Sequence, residues 1–441
     1  MDKLSIKSSL EKLLAQQGIK DYEIHIMGSD SQECDIFQSD VKSFSSSTSL
    51  DLCLKVLVDG RFGTANTQDF SMGGLEELAR KAVDNAKSLE TEAEDTVLEA
   101  GVYQACSNPV YPALASEQLR AKALEIQKSA YDADPRVIDG TETEALSVRY
   151  DIFMSNSKGV SLQGNTCLEG AFLSAVAKDG DDVQTAYCFR SGQLSELRDF
   201  DAVEKAVSCF GAVVPASGVY DIVFDTSCMR DFLSTFASVF YAKNAQLGLS
   251  LMAGKEGQAV SSQAVTLMDD PFEATSTIKI SFDAEGCPTR TKAVIEDGVL
   301  KTLLYNSQTA RKAKTQSTGN ASGHMGPVGT THYSFFIKPS SISKDDLLAK
   351  LGNGIYVSYM KGFHAGADAS TGDFSIESLG FEVKDGKLGS SLKSFTVSGN
   401  FYEMLMKVEA VDDRLEFGIP SVFTRVGSPD LLVRGLSVAG K

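Results

Sequence analysis

The N-terminal part of the chain switches between two hydrophobic periods. Leucines within residues 4–14 recur at helical spacing, whereas apolar and polar residues alternate with a period of two at 22–26 and again at 50–56. Successive side chains of a strand point to opposite faces, so this alternation predicts half-buried strands. An Asp-Gly pair at 59–60 predicts a tight turn, and a second apolar stripe at 75–86 predicts another helix.

The same order of elements recurs further along the chain. A helical stripe at 119–130, with Ser116 as its N-cap, precedes strand-like runs at 146–154 and 168–177 and a short helix at 202–209. Two helix–sheet–helix units in tandem indicate a structural duplication, although the residues themselves do not visibly repeat.

The remainder of the chain has a different organisation. A segment with Pro and Gly at 213–218 predicts a domain boundary. A strand at 220–224, a long helix from about Thr226, and Asp-Gly turns at 297–298 and 385–386 follow it. Separate helices and hairpins without regular βαβ alternation predict an α+β fold.

The length of the chain implies more than one domain. Its 441 residues exceed the roughly 250–300 residues at which one hydrophobic core stops growing. We therefore predict an N-terminal α+β domain at 1–100 and a central α+β domain at 101–215. A larger mixed α+β C-terminal domain, rich in antiparallel hairpins, should occupy 216–441.

Composition restricts the partners and the compartment. A net charge of −17 disfavours nucleic acid and anionic membranes, which are bound by clusters of Lys and Arg. The best candidate for a membrane span, 231–254, is interrupted by Lys243, Asn244 and Gln246. Eight scattered cysteines and an N-terminus without an apolar signal core predict a soluble cytoplasmic protein.

An acidic run occupies residues 88–101, with Glu90, Glu92, Glu94, Asp95 and Glu99. We interpret it as the end of a helix that continues into a solvated linker. An acidic docking segment is the alternative.

Four histidines are the first candidates for chemistry. We expect His25 to lie on the solvent-exposed face of a strand and His332, in an alternating run, to have a structural role. His324 and His364 lie in glycine-rich loops, where a functional role is more plausible. His364 and Asp368 have i,i+4 spacing, but two residues alone are weak evidence for a metal site.

The motifs of catalytic sites are missing from the sequence. HExxH, HExxxH, GxSxG and GxGxxG do not occur. The basic cluster Arg311, Lys312 and Lys314 is better explained by the end of a short helix, where the helix dipole favours cations, than by an anion site. The residues alone therefore give no complete catalytic set.

Several segments resemble the TldD/PmbA metallopeptidase family, also called modulators of DNA gyrase. The similarity extends from about residue 20 to the C-terminus and is carried by VLVDGRFGTANTQDFS at 56–71, MSNSKGVSLQG at 154–164, SFDAEGCPTRTKAVIEDGVLKTLLYN at 281–306, STGNASGH at 317–324, GFHAGADASTGDFSIESLGFEVKDGKL at 362–388 and VGSPDLLVRGLSVAG at 426–440.

The resemblance implies three domains and two subunit types. The TldD type carries HExxxH on the first long helix of the C-terminal domain, with a Cys near the end of the chain as third zinc ligand. Ser234, Thr235 and Val239 stand at the motif positions in this sequence, and no Cys follows Cys287. The departure is similar to the PmbA (TldE) type, which implies that this chain binds no zinc and has no catalytic residues.

We therefore expect a non-catalytic subunit whose TldD-type partner supplies the zinc. It would help to admit small or unfolded peptides to the partner's zinc. Such peptides can be held as an added strand at the edge of a sheet. We expect His324, His364 and Asp373 to line the peptide groove. Without its partner, the chain should form a homodimer.

Two alternatives remain open from the sequence. One is an autonomous metallopeptidase with an atypical site built from His324, His364, Asp368 or Asp373. The other is a protein-binding modulator of DNA gyrase without hydrolytic activity.

Overall fold

The computed structural model describes residues 3–89, 96–112 and 114–441. The predicted α+β class is confirmed, because helices and mainly antiparallel strands alternate without regular βαβ units. Glu90, Glu92, Glu94 and Asp95 of the acidic run lie outside the described residues, so its predicted role as a helix end and linker stays a prediction.

Two helix–sheet–helix units occur in tandem, in the predicted order. The first unit consists of α1 (Lys3–Gln16), β1 (Asp21–Phe37), β2 (Asp40–Val58), β3 (Arg61–Thr67) and α2 (Met72–Ser88). The second consists of α3 (Ser116–Ala133), β4 (Glu142–Asn156), β5 (Ser161–Asp179), β6 (Asp182–Ser191) and α4 (Ala202–Ser208).

One detail of the second unit differs from the prediction. The N-cap of α3 is Ala115, and Ser116 is the first helical residue. The Ser116 hydroxyl donates to the side-chain oxygen of Gln32 (3.2 Å). It joins the helix to the sheet and does not cap the helix.

The two units share a single antiparallel sheet with the order β3-β2-β1-β4-β5-β6. The junction is the long pairing of β1 with β4, which extends from Glu23 opposite Asn156 to Phe37 opposite Glu142. Edge strands β3 and β6 are therefore contributed by different units, and the surface of the sheet is continuous across both.

Both faces of this sheet are covered, each by a different layer. Helices pack on one face, where Ile24 and Ile36 of β1 belong to two separate cores. On the other face, Met154 of β4 packs with Phe282 of the C-terminal part. The prediction of an exposed His25 is therefore wrong: it is 1% exposed, because the face that the alternation assigned to solvent lies against the C-terminal domain.

The C-terminal part contains two further six-stranded sheets and a small hairpin, ordered β10-β9-β8-β13-β19-β18, β16-β15-β14-β7-β20-β17 and β11-β12. Pairing of β16 with β20 closes the second sheet on itself. Its strands are β7 (Gly218–Phe224), β14 (Gly354–Lys361), β15 (Asp373–Lys384), β16 (Lys387–Asn400), β17 (Val408–Val411) and β20 (Leu431–Ala439).

The other C-terminal strands are β8 (Leu267–Asp269), β9 (Lys292–Glu296), β10 (Val299–Leu300), β11 (Ala321–Ser322), β12 (Gly329–Thr330), β13 (Ser334–Ile337), β18 (Glu416–Phe417) and β19 (Arg425–Ser428). The helices are α5 (Thr226–Phe236), α6 (Ala242–Gln246), α7 (Ser307–Ala313), α8 (Lys344–Leu351), α9 (Phe363–Gly366) and α10 (Phe401–Met406). Among the described residues, no helix is long and apolar enough to cross a membrane.

Arg311 and Lys312 lie in the last turn of α7, and Lys314 is its C-cap, so the predicted position of the basic cluster at a helix end is confirmed.

The long helix expected from Thr226 is present but divided. After α5 the chain tightens into a 3-10 turn at Ala237–Phe240 and then continues as α6. The aromatic stripe of α5 is buried as predicted, with Phe236 stacked on Phe401 at 4.4 Å between ring centroids and Phe232 edge-on to Phe374 at 4.8 Å.

This packing predicts a large cost for truncating the stripe. Leu233→Ala removes a side chain that is 1% exposed, and such substitutions lower the free energy of unfolding by about 2–5 kcal/mol. Leu4→Ala, at a position 59% exposed, is the matched control and should change it by less than about 0.5 kcal/mol. Urea denaturation of both variants measures the difference. Equal effects would contradict the assignment of α5 to the core.

Candidate functional site

The positions of the family's zinc motif fall on α5 and on the 3-10 turn that follows it. Ser234 on this helix is exposed, Thr235 is half-buried, and Val239, in the 3-10 turn, is 1% exposed. Zinc sites in proteins are built from Cys, His and carboxylate ligands. Two hydroxyls and a buried valine do not fit zinc, so the residues at the motif positions do not form a zinc site.

The chain segment next to α5 does not supply the missing ligands. Strands β18 and β19 lie beside α5, and Arg230 donates to the carbonyl oxygen of Phe417 (3.3 Å). Residues 416–428 contain neither His nor Cys. Glu416, the carboxylate of this segment, accepts from Thr226 (3.3 Å) and pairs with Arg414 (3.3 Å).

Elsewhere, three side chains with possible ligand atoms come together in the described part of the chain only at Glu33, Asp35 and Glu144. This group is an acidic surface cluster on β1 and β4. Exposed acidic groups commonly occur without a metal, and nothing at this position indicates a ligand.

A buried polar network holds the beginning of α5. The Tyr356 hydroxyl lies 2.8 Å from a carboxylate oxygen of Asp225 and 3.0 Å from one of Asp430, and it accepts a hydrogen bond from Lys344 at 2.6 Å. The second oxygen of Asp430 accepts from the backbone N–H of Thr226 (2.8 Å). The sequence analysis missed this network, because its members come from four separate elements and form no motif.

The protonation of this network follows from its geometry. One phenolic proton can be donated to only one of the two carboxylates at a time, and the ammonium of Lys344 lies 3.5 Å from Asp430. Burial, followed by the charge of Asp225, raises the pKa of Asp430 to about 7. Burial also opposes ionisation of Asp225, but hydrogen bonds from Ser227 and Tyr356 outweigh it and hold its pKa below the ordinary value. Asp430 is therefore the carboxyl of this pair that takes up a proton first as the pH falls.

A second buried cluster joins the first sheet to the C-terminal glycine-rich loop. Glu23 is hydrogen-bonded to Nε2 of His25 (3.2 Å) and lies 3.8 Å from the ammonium of Lys55, which donates to the carbonyl oxygen of Gly323 (3.2 Å). The ring of His324 packs edge-on against His25, with centroids 5.6 Å apart. A cavity of about 520 Å³ between the two layers reaches Glu23, Lys55 and Glu285.

Burial determines the charges in this second cluster. It lowers the pKa values of His25 and His324 well below the ordinary value. Lys55 adds to the effect at His25, and His25 followed by Lys55 adds to it at His324. Burial raises the pKa of Glu23 to about 7, against the opposing charge of Lys55. The histidines are therefore neutral, and their solvent-shielded Nδ1 atoms have no hydrogen-bond partner among the described residues.

The residues predicted to line a peptide groove lie in two places. His364, in α9, and Asp373, at the start of β15, are exposed, and their neighbours Phe363 and Phe374 both pack on Phe232 of α5. His324 instead belongs to the cluster at the first sheet. Within the described residues, no hydrogen bond, ion pair or ring contact joins His324 to the other two.

The remaining sequence candidates have structural roles. Asp368 holds a turn by accepting from the backbone N–H of Ser370 (2.8 Å) and from its hydroxyl (2.6 Å), and these bonds lower its pKa. His332 is hydrogen-bonded to the Tyr241 hydroxyl (2.9 Å), as expected for a structural residue. A single atypical site of His324, His364 and Asp368 or Asp373 is therefore not assembled.

The second cluster predicts a specific pH dependence of stability. A carboxyl whose pKa is about 7 when folded and near 4.5 when unfolded destabilises the fold increasingly as the pH rises through that window. When the pH is raised from about 5 to about 7.5, the free energy of unfolding of Glu23→Gln should therefore rise by about 2 kcal/mol relative to that of the unmodified chain. Urea denaturation at both values tests this.

Glu204→Gln, at an exposed position of α4, is the control for Glu23→Gln and should show no such change. The same relative stability of Glu23→Gln at both pH values would contradict the buried protonated state of Glu23.

Comparison with known proteins gives matches along most of the chain. The chain matches the sequence families described as PmbA/TldA metallopeptidase domain 1 at 22–86, central domain at 111–208 and C-terminal domain at 217–440. A metalloprotease of Methanothermobacter thermautotrophicus is 28% identical over 411 residues, which cover 88% of each chain. Metalloprotease PmbA of Escherichia coli O157:H7 is 23% identical over 67% of this chain and 64% of its own length.

Solved structures give the same result. A Thermotoga maritima protein titled a modulator of DNA gyrase superposes with a TM-score of 0.91 at 26% identity, covering 99% of this chain and 100% of that one. TldE from Thermococcus kodakarensis shares the fold, with a TM-score of 0.88 at 22% identity over 98% and 100% of the two chains. The three domain matches cover most of the chain, and the C-terminal domain alone covers more than half of its residues. The chain therefore belongs to the PmbA/TldD metallopeptidase family.

Proposed function

We propose that this chain is a non-catalytic, PmbA (TldE)-type member of its family, which acts on peptides together with a homologous chain that carries HExxxH. The observation that carries the proposal is the face of α5. Ser234, Thr235 and Val239 stand at the motif positions and offer no ligand set for zinc.

The packing around these positions supports the proposal. Val239 is part of the hydrophobic core together with Phe236 and Phe240. The chain leaves the α-helix at Ala237, two residues before Val239. The last motif position therefore belongs to the core, and a histidine placed there would be buried among aromatic rings.

A peptide-binding role is supported by the surface next to α5. Ser234, His364 and Asp373 are all exposed, and the loop that leads to Asp373 is rich in small residues. Such a surface leaves backbone groups accessible, and extended peptides can be held by backbone hydrogen bonds with little dependence on their side chains. We propose His364 and Asp373 as groove residues, whereas His324 belongs to the cluster at the first sheet.

An exposed apolar patch supports association with a homologous chain. Leu247, Leu249 and Leu251 follow α6 and are 59%, 51% and 51% exposed. The backbone N–H of Leu251 donates to the Tyr402 hydroxyl (3.3 Å), which places the patch beside α10 and its Met406, 52% exposed. Contiguous apolar surface of this kind marks protein–protein contacts.

The activity of the chain, alone and mixed with a partner, tests the non-catalytic assignment. The purified chain should not cleave unstructured peptides in a chelator-sensitive reaction. Addition of its HExxxH-bearing homologue should give chelator-sensitive cleavage whose rate or substrate range differs from that of the homologue alone. A mixture in which the glutamate of the partner's motif is replaced by Gln is the control. Chelator-sensitive cleavage by the chain alone would contradict the proposal.

The apolar patch gives a separate prediction about association. In the absence of a partner, the chain should form homodimers through this patch, because the two subunit types share a fold and a two-fold pair is the commonest assembly. Leu249→Asp should weaken the dimer by at least about tenfold in Kd, measured by sedimentation at micromolar concentration. Val219→Asp, at an apolar position 72% exposed outside the patch, is the control. A monomeric unmodified chain would contradict the prediction.

A further inference from the structure

An acidic residue on the accessible face of α5 has no partner. Asp231 lies one turn before Ser234 and is half-buried. Within the described residues, its carboxylate makes no hydrogen bond or ion pair. The neighbouring Arg230 does not neutralise it, because that guanidinium is directed to the carbonyl oxygen of Phe417 (3.3 Å) and to Glu416 (3.8 Å).

Two tyrosines from different sheets meet beside this carboxylate. Tyr187 lies on β6, the edge strand of the first sheet, and Tyr359 lies on β14 of the closed sheet. Their ring centroids are 5.6 Å apart and their planes are nearly perpendicular, at 80°. No hydrogen bond of either hydroxyl occurs among the described residues; Tyr187 is 39% exposed and Tyr359 is half-buried.

Contacts between α5 and β14 place the carboxylate near this pair. The Ser227 hydroxyl donates to the carbonyl oxygen of Ser358 (3.5 Å), next to Tyr359, and Asp231 lies one helical turn after Ser227. Burial is the main cause of the raised pKa values of both tyrosines, and the negative charge of Asp231 raises them further. Burial likewise raises the pKa of Asp231 to about 6, against the opposing charge of Arg230. The carboxylate, which has no partner among the described residues, therefore lies near the tyrosine pair where the two sheets meet.

The backbone of β14 is irregular at this position. Val357 pairs with Gly380 and Tyr359 with Leu379, so Ser358 is an extra residue in a β-bulge. A bulge re-aims the side chains that follow it and is over-represented next to functional sites. Here it precedes Tyr359, which stays partly accessible between buried Val357 and buried Met360.

The chemistry of this arrangement favours a cation. A partly desolvated carboxylate without a partner is unfavourable until a positive charge reaches it. The faces of aromatic rings carry negative potential and attract ammonium and guanidinium groups. Within the described part of the chain, the two neighbouring cations are engaged elsewhere. Arg230 contacts the carbonyl oxygen of Phe417 and Glu416, and Lys361 is paired with Glu377 at 3.0 Å.

We propose that Asp231, Tyr187 and Tyr359 form a binding site for a cationic group of an extended peptide, either the side chain of Lys or Arg or the N-terminal ammonium. The site rests on the proposed peptide-binding function and adds a preference for basic peptides. Ser234 is one helical turn away, so a peptide bound along α5 would pass both positions.

The stability of an Asp231 variant distinguishes a binding site from a purely structural contact between the sheets. The unpaired carboxylate has a pKa of about 6 when folded, above that of an unfolded aspartate, so its ionised form destabilises the fold above that pH. Asp231→Asn should therefore raise the midpoint of urea denaturation at neutral pH. A structural role of the carboxylate predicts a lower midpoint, and that result would overturn the proposal.

Binding of labelled unstructured peptides to the purified chain tests the ligand class. One peptide carries a single Lys and an acetylated N-terminus, a second has Met in place of Lys and a free N-terminus, and a third has Met and an acetylated N-terminus. The unmodified chain should bind the first or the second peptide about tenfold more tightly than the third. Which of the two is favoured identifies the source of the cation.

Variants then assign that preference to the site. Asp231→Asn should remove the tenfold preference and leave the affinity for the neutral peptide unchanged, and Tyr359→Leu should reduce the preference. Glu377→Gln removes a nearby carboxylate that is already paired with Lys361 and is the matched control.

The outcomes of the peptide series distinguish two failures. Equal affinity of the unmodified chain for all three peptides would overturn the cation site while the peptide-binding function stands. Failure to bind any of the three would contradict both. A preference that survives Asp231→Asn would also overturn the assignment.

Discussion

The aromatic packing of α5 is the constraint on which the rest of the structure depends. Phe232 and Phe236 insert between the closed sheet and α10, and the 3-10 turn continues the same core through Phe240. Full burial of each such side chain contributes about 1.5–3 kcal/mol. This helix positions Ser234 and Asp231 on one accessible face, and it places His364 and Asp373 beside them through their buried neighbours.

Buried polar groups determine how the layers meet. At the start of α5, Asp225, Tyr356 and Asp430 join three strands and the helix. Between the first sheet and the C-terminal loop, Glu23 and Lys55 make the corresponding contact. Buried charges contribute little net stability, but removal of one partner is costly, so such contacts favour one arrangement over its alternatives.

Much of the fold was predictable because it depends on local chemistry. The Asp-Gly turns at 59–60, 297–298 and 385–386 all have positive φ at both residues, as tight hairpins require. The tandem order of helices and strands followed from hydrophobic period, and the burial of Phe232 and Phe236 followed from the stripe on α5. These predictions depend on near neighbours in the chain.

The site was less predictable because it depends on long-range contacts. Alternation assigned His25 to a face of β1, but only the structure shows that the C-terminal domain covers that face. His324 and His364 looked equivalent in glycine-rich loops, yet His324 belongs to the buried cluster at the first sheet and His364 is exposed in α9. Asp231, Tyr187 and Tyr359 come from three elements, and only a β-bulge and the meeting of two sheets bring them together.

The central claim is that the face of α5 is a packing and peptide-binding surface and not a metal centre. Elemental analysis of the pure chain, after incubation with excess zinc and removal of unbound metal, tests it most directly. Because Ser234, Thr235 and Val239 offer no ligand set, the account predicts clearly substoichiometric zinc, unchanged in Ser234→Ala. One zinc ion per chain, lost on substitution of Ser234 or Thr235, would contradict it.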